Sequence, residues 1–233
     1  MANTFSNDTY RSTKTLSYLT IGSLLGLIVC FLLMFILSFV QIVFTIPEID
    51  LDNGEGVPIT YALIGIVAIF QILLRVLTIV FFLIWLYQAF KNLSALAAQN
   101  LEFSPGWAIG WWFIPFANLV KPYQVISELW NASDSDYDPE LFLSNKIGTP
   151  SIIGWWWGLF IIGGIIGRIS DILSDKSLSY SLIALMIYCV LHGIAAFLIL
   201  TIIRKITQEQ DLRFQKLGQT NQFSAPPPPP KFE

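Results

Sequence analysis

The chain contains four apolar runs, Leu16 to Ile46, Ile59 to Phe90, Ser151 to Leu173 and Tyr180 to Ile203, each long enough to cross a bilayer. A spanning helix needs about 20 apolar residues. Lipid offers no hydrogen bonds, so backbone groups in such a run must be satisfied within the protein, which leaves helices or a closed barrel. These runs are continuous rather than alternating, and they predict an all-α, four-helix transmembrane bundle. Composition agrees: 55% of the residues are hydrophobic and 12% charged, whereas soluble domains carry about 25% charged residues. The first run is too long for a signal-peptide core and lacks a small-residue cleavage site, so it predicts an uncleaved first span. A net charge of −3 argues against nucleic acid as a partner. Cys30 and Cys189 both fall inside apolar runs, which predicts buried free thiols. There is no disulfide or zinc spacing, and no cofactor is expected.

Between the second and third runs lies FSPGWAIGWWFIPFANLVKPYQVISELW, residues 103–130. It is apolar and aromatic, but too short and too punctuated to span. Pro115 and Pro122 each remove a backbone donor, and Asn118 sits between them. Ser104, Pro105 and Gly106 read as a helix start. Trp107, Trp111 and Ile114 recur at helical spacing. The expectation is an extra broken helical element over 104–131. It is either re-entrant, with protein or water satisfying the freed backbone groups, or interfacial, held at headgroup level by Trp107, Trp111 and Trp112. The aromatic content favours the interfacial form.

Several stretches here carry a resemblance. They are Trp85-Leu86-Tyr87, Asn92-Leu93, Phe103 to Trp107, the run from Gly110 to Leu119, Lys121-Pro122-Tyr123 and Glu128-Leu129-Trp130. Together they resemble a family of bacterial multipass membrane proteins known only as a domain of unknown function. The likeness covers roughly Tyr61 to Lys205, and its most specific part is WWFIPFAN followed by KPY. Gln88 stands where several relatives carry a basic residue, so no shared charge role is carried over to it. The resemblance implies a multipass membrane fold and no activity, substrate or cofactor.

Within the spans, Arg75 lies about 15 Å along the helix from Trp85, and Trp85 and Tyr87 read as aromatic markers of the cytoplasmic boundary. An intramembrane arginine is either a functional residue or one that snorkels to the interface. The break at Pro115 frees the Trp111 and Trp112 carbonyls. The expectation is therefore that Arg75 caps the broken element through those carbonyls or Asn118. His192, the sole histidine, has no second ligand at metal spacing and reads as a packing residue. Gly22/Gly26, Gly154/Gly158 and Gly163/Gly167 are small-xxx-small pairs; the last two fall on roughly opposite faces, so the third helix is expected to pack against two neighbours. Arg168 and Asp171 are expected to pair. The acids Asp134, Asp136, Asp138 and Glu140 resemble the opening of a calcium loop. Pro139 and Asn145 stand where that loop needs Gly and Glu, so a solvated loop is expected.

The expected organisation is a cytoplasmic segment over 1–15 and a membrane domain over 16–205. Its helices run about 16–46, 59–98, 151–173 and 179–205. A helical extension and a proline-rich disordered tail follow over 206–233. The positive-inside rule puts both termini in the cytoplasm of a multi-pass cell-membrane protein. Arg11, Lys14, Lys91, Lys121, Lys146, Arg204, Lys205, Arg213, Lys216 and Lys231 then lie inside and only Lys176 outside. No nucleophile elbow, P-loop, dinucleotide fingerprint or zinc-protease motif is present, so no enzyme is expected. Two function classes remain. The first is a scaffold or partner-binding protein, contacting lipid, a protein partner through Pro226 to Pro230, or further copies of itself. The second is a small-molecule or ion site at the broken element near Arg75 and Asn118. The candidate residues are Arg75, Pro105, Gly106, Trp107, Trp111, Trp112, Pro115, Asn118, Pro122 and His192.

Overall fold

The computed structural model describes residues 9–45, 59–140 and 148–223. The expectations for residues 1–8, for the acids between Glu48 and Glu55, for Asn145 and Lys146, and for the proline run Pro226 to Pro230 lie outside these residues. Among the described residues every regular element is helical. The helices are α1 (Lys14–Val40), α2 (Ile59–Ala95), α3 (Pro105–Gly110), α4 (Lys121–Ser133), α5 (Ser151–Ser174) and α6 (Leu178–Phe223). A π-helical turn, Gln41–Thr45, extends α1, and a 3-10 turn, Ala117–Leu119, precedes α4. α1, α2, α5 and α6 are long and apolar enough to cross a membrane.

These four helices stand in a row. α5 packs on α6, α6 on α1 and α1 on α2, while α2 and α5, at the two ends, have almost no contact with each other. Small side chains allow the close approaches. A Cβ placed on Gly163 would lie 2.4 Å from the His192 ring, and one on Gly167 would lie 2.9 Å from the Tyr188 ring. Ser170 and Ser181 exchange hydroxyl-to-carbonyl hydrogen bonds of 2.9 and 3.0 Å across the same seam. At Gly26 a Cβ would meet Leu74 of α2 at 3.2 Å. Only one glycine face of α5 is used, however: nothing lies within 4 Å of a Cβ built on Gly154 or Gly158. No second span covers that face because the row ends at α5, whose other contacts are with α4 and the 112–119 turns. The expected pairing of Arg168 with Asp171 also fails; the ion pairs among the described residues join Lys14 to Asp211, Lys121 to Glu102, Lys205 to Glu209 and Lys216 to Asp136.

The tightest core sits at one end of the row. Trp85, Leu86, Leu93, Val125, Ile126, Leu129, Ile202 and Ile203 are completely buried where α2, α4 and α6 meet. Trp85 is therefore no lipid-facing belt residue. It is fully buried, and its indole N–H donates to the Thr207 hydroxyl at 3.1 Å.

Candidate functional site

Three structures meet in this molecule: a polar clasp at the buried end, an aromatic segment over 105–120, and a polar node inside the spans. The clasp is built from α6. Thr207, Gln210 and Asp211 recur at three- and four-residue spacing, so they share one helix face. Gln210 donates to the Ala89 carbonyl and to Ser133 Oγ, both at 2.9 Å. Asn92 donates to the Arg11 carbonyl at 2.8 Å and to Gln210 Oε1 at 3.3 Å, and it accepts from the Arg11 N–H. Arg213 donates to the Ala132 carbonyl at 2.6 Å and lies over the Tyr137 ring. Asp211 receives the Tyr10 and Ser12 hydroxyls at 2.6 and 3.1 Å and pairs with Lys14. Burial, and secondarily that carboxylate, push the Tyr10 phenol well above its ordinary value. Sequence reading missed this clasp. The i, i+3, i+4 polar spacing on α6 was its one visible signal.

The aromatic segment starts where Ser104 accepts the Trp107 N–H over Pro105, the first residue of α3. α3 stops at Gly110, four residues before Ile114. Pro115 lies in the turn that follows, its carbonyl accepting the Ala117 N–H at 2.8 Å. Phe116 holds a left-handed backbone, φ 64°, unfavourable for a side chain of that size. The Asn118 N–H donates to the Ile114 carbonyl at 3.0 Å, and Pro122 is buried at the start of α4. A Cβ on Gly106 would meet nothing. Trp107 lies tilted against Trp111, their centroids 5.1 Å apart, and the Lys121 ammonium sits 5.5 Å from the Trp111 centroid. Trp112 is pinned on both sides, by Phe82 of α2 at 5.3 Å and by Trp157 of α5 at 5.8 Å. Trp157 in turn donates to the Leu119 carbonyl at 2.7 Å. Glu128 of α4 fastens the other flank, its two carboxylate oxygens accepting the Glu102 and Phe103 N–H groups.

The node lies elsewhere. Arg75 donates to the Tyr188 hydroxyl, with its guanidinium carbon 6.0 Å from that ring's centroid; it does not reach the 111–118 carbonyls or Asn118. Packing order explains the difference, because Arg75 faces the α6 side of α2 while the 111–119 turns face Phe82 and α5. Tyr188 is the meeting point of all four spans: it touches Arg75, Phe31 of α1 and the Gly167 position of α5. His192 is 4.3 Å from it, ring to ring, and lies beside Phe31 and Phe160. Arg75 and His192 thus come together, and Asn118 does not join them. An unbroken line of ring contacts, Trp112 to Trp157 to Phe160 to His192 to Tyr188, connects the aromatic segment to the node. Tyr188 was not visible as a site residue in the sequence, since one tyrosine in an apolar run carries no spacing signal.

The family described as a domain of unknown function, DUF4328, matches residues 54–208, the stretch holding α2 to α5, α6 as far as residue 208, and the α2 and α4 side of the clasp, while Gln210, Asp211, Arg213 and the N-terminal Tyr10, Ser12 and Lys14 lie outside it. Neither curated proteins nor solved structures give a match.

Proposed function

The chain belongs to this family, and we propose for it the role of a non-enzymatic membrane scaffold that holds an apolar partner against residues 105–120. The observation that carries this reading is the contrast within the segment. Trp112 is pinned between two spans, yet Trp107, Phe113, Leu119 and Val120 are exposed, and Phe116 is 86% exposed. Phe82 lies about 13 Å along α2 from Lys91, and Trp157 about 9 Å along α5 from Ser151. Those depths support a re-entrant placement of the 112–119 turns in the gap between α2 and α5. A fixed apolar surface at that depth suits the transmembrane helix of a partner, with the proline run as a second contact. Tyr10, Ser12 and Lys14 meet Asp211, so both described chain ends lie on one side, and the basic residues there support the cytoplasm of a cell-membrane protein.

The test is a photo-crosslinking residue in place of Phe116, activated in intact membranes. A discrete protein adduct, lost when Phe113 and Leu119 are changed to Ser, is expected; adducts to lipid alone would sink the reading. Impermeant maleimide added outside should label Ser177→Cys and spare Ser135→Cys, and the reverse would invert the topology. A second reading, a small-molecule or ion site, is favoured by the Arg75–Tyr188–His192 node alone, without Asn118.

A further inference from the structure

Arg75 is one of the exposed residues of α2. Among the described residues its one hydrogen bond is to Tyr188, and no carboxylate pairs with it. A guanidinium carries five donors. Leaving most of them in hydrocarbon is costly, so an intramembrane arginine requires an anion or a polar path. Its surroundings on α2 are aliphatic: Ile72, Val76 and Ile79, at helical spacing around it, are each at least half exposed. Its level in the span follows from its partners. Tyr188 lies about 15 Å along α6 from Leu178, and Gly167 about 10 Å along α5 from Ser174. Across a hydrocarbon core of about 30 Å, that puts the backbone between the midplane and the half facing the α5–α6 turn, and side chains on α2 and α6 alike incline toward their helix N-termini, which lie on that same side. From there a guanidinium at the end of an arginine side chain reaches toward the phosphate layer of that leaflet.

We propose that Arg75, aimed by the Tyr188 hydroxyl, binds the phosphate of an anionic phospholipid whose acyl chain lies along Ile72, Val76 and Ile79. The fork of N–H donors matches two phosphate oxygens. Tyr188 uses one donor and fixes the plane of the rest. An unneutralised cation favours a headgroup with net negative charge over a zwitterionic one, whose own ammonium competes. The aliphatic surface beside it favours a lipid over free phosphate. The site is separate from residues 105–120 and does not depend on the scaffold reading.

The experiment uses the full chain in a neutral detergent, titrated with phosphatidylglycerol, phosphatidylcholine or inorganic phosphate, with binding counted by native mass spectrometry. The parent should bind one phosphatidylglycerol saturably, about tenfold or more tighter than phosphatidylcholine, and inorganic phosphate should not compete. Arg75→Gln should abolish the preference, Tyr188→Phe should weaken it, and Arg168→Gln, which removes another exposed intramembrane arginine, should leave it intact. A preference that survives Arg75→Gln, or that falls equally with Arg168→Gln, overturns the proposal. So does effective competition by free phosphate, which would point to a soluble anion, or a dimer dissolved by Arg75→Gln without lipid preference, which would point to a second copy. If Arg75→Gln does not fold, the parent decides: without one-to-one binding of phosphatidylglycerol over phosphatidylcholine the proposal fails.

Discussion

Gly158 and Gly167 are the same residue on the same helix with opposite surroundings, and the difference is measurable. A leucine at Gly167 must displace the Tyr188 ring, since a bare Cβ already comes within 2.9 Å of it. Overpacking of this kind costs about 1–3 kcal/mol. A leucine at Gly158 meets open space and should change stability by less than about 0.5 kcal/mol. Thermal unfolding in detergent should therefore separate the two variants, and equal melting temperatures would remove the packing role of Gly167. Periodicity in the sequence placed these glycines on two faces but could not say which face is covered, because coverage depends on where the row of helices ends. Trp85 and Arg75 show the same limit. An aromatic near a run's end and a charge within it were both legible. Their partners, Thr207 and Tyr188, sit on α6, more than a hundred positions along the chain, and no local pattern ties them together.

α4 acts on the aromatic segment through Glu128, whose carboxylate anchors the Glu102 and Phe103 N–H groups at the entry to α3. Burial raises its pKa above the ordinary 4.5, and the two backbone donors only partly offset that rise. The folded state therefore keeps a proton that the unfolded chain has released. The stability contributed by protonated Glu128 is complete below about pH 4.5 and is lost as pH rises through the raised value. Glu128→Gln has no such loss. Its melting temperature, relative to the parent, should climb as pH rises from 4.5 toward neutrality, and a constant difference would show that the carboxyl titrates normally. Element boundaries were legible where a side chain marks them, as Ser104 and Pro105 do for α3. They were not where the backbone turns without glycine: α2 ends at Ala95 because Ala97 adopts φ 55° and the Ala98 N–H bonds back to the Leu93 carbonyl. A helical extension beyond Lys205 was expected from the sequence, but what holds it, the binding of the face carrying Thr207, Gln210 and Asp211 by other elements, exists only in the folded chain.

Across the whole molecule, four spans that pack extensively only on their neighbours in a row need something to fix their spacing, and the clasp supplies it at one end. The α6 extension bonds to α2 through Trp85, Ala89 and Asn92, to α4 through Ala132 and Ser133, and to the N-terminal segment through Tyr10, Ser12 and Lys14. Ending the chain after Lys205 would strip partners from the Trp85 indole, the Ala89 and Ala132 carbonyls, Ser133 and Asn92 at once. An unsatisfied buried polar group costs about 1–3 kcal/mol, and several together compare with the 5–15 kcal/mol that typically holds a domain folded. The removed segment also carries Ile206, which is almost fully buried in the same core. Truncation after Lys205 should therefore release hydrogen-exchange protection across 85–96 and 125–133, while 160–170, held by the α5–α6 seam, keeps its protection. Truncation after Phe223 leaves every one of these contacts in place and should match the full chain in both regions. If the shorter protein keeps its protection at 85–96, the spacing of the row is set within the membrane, and the clasp is a consequence of the fold rather than its fastening.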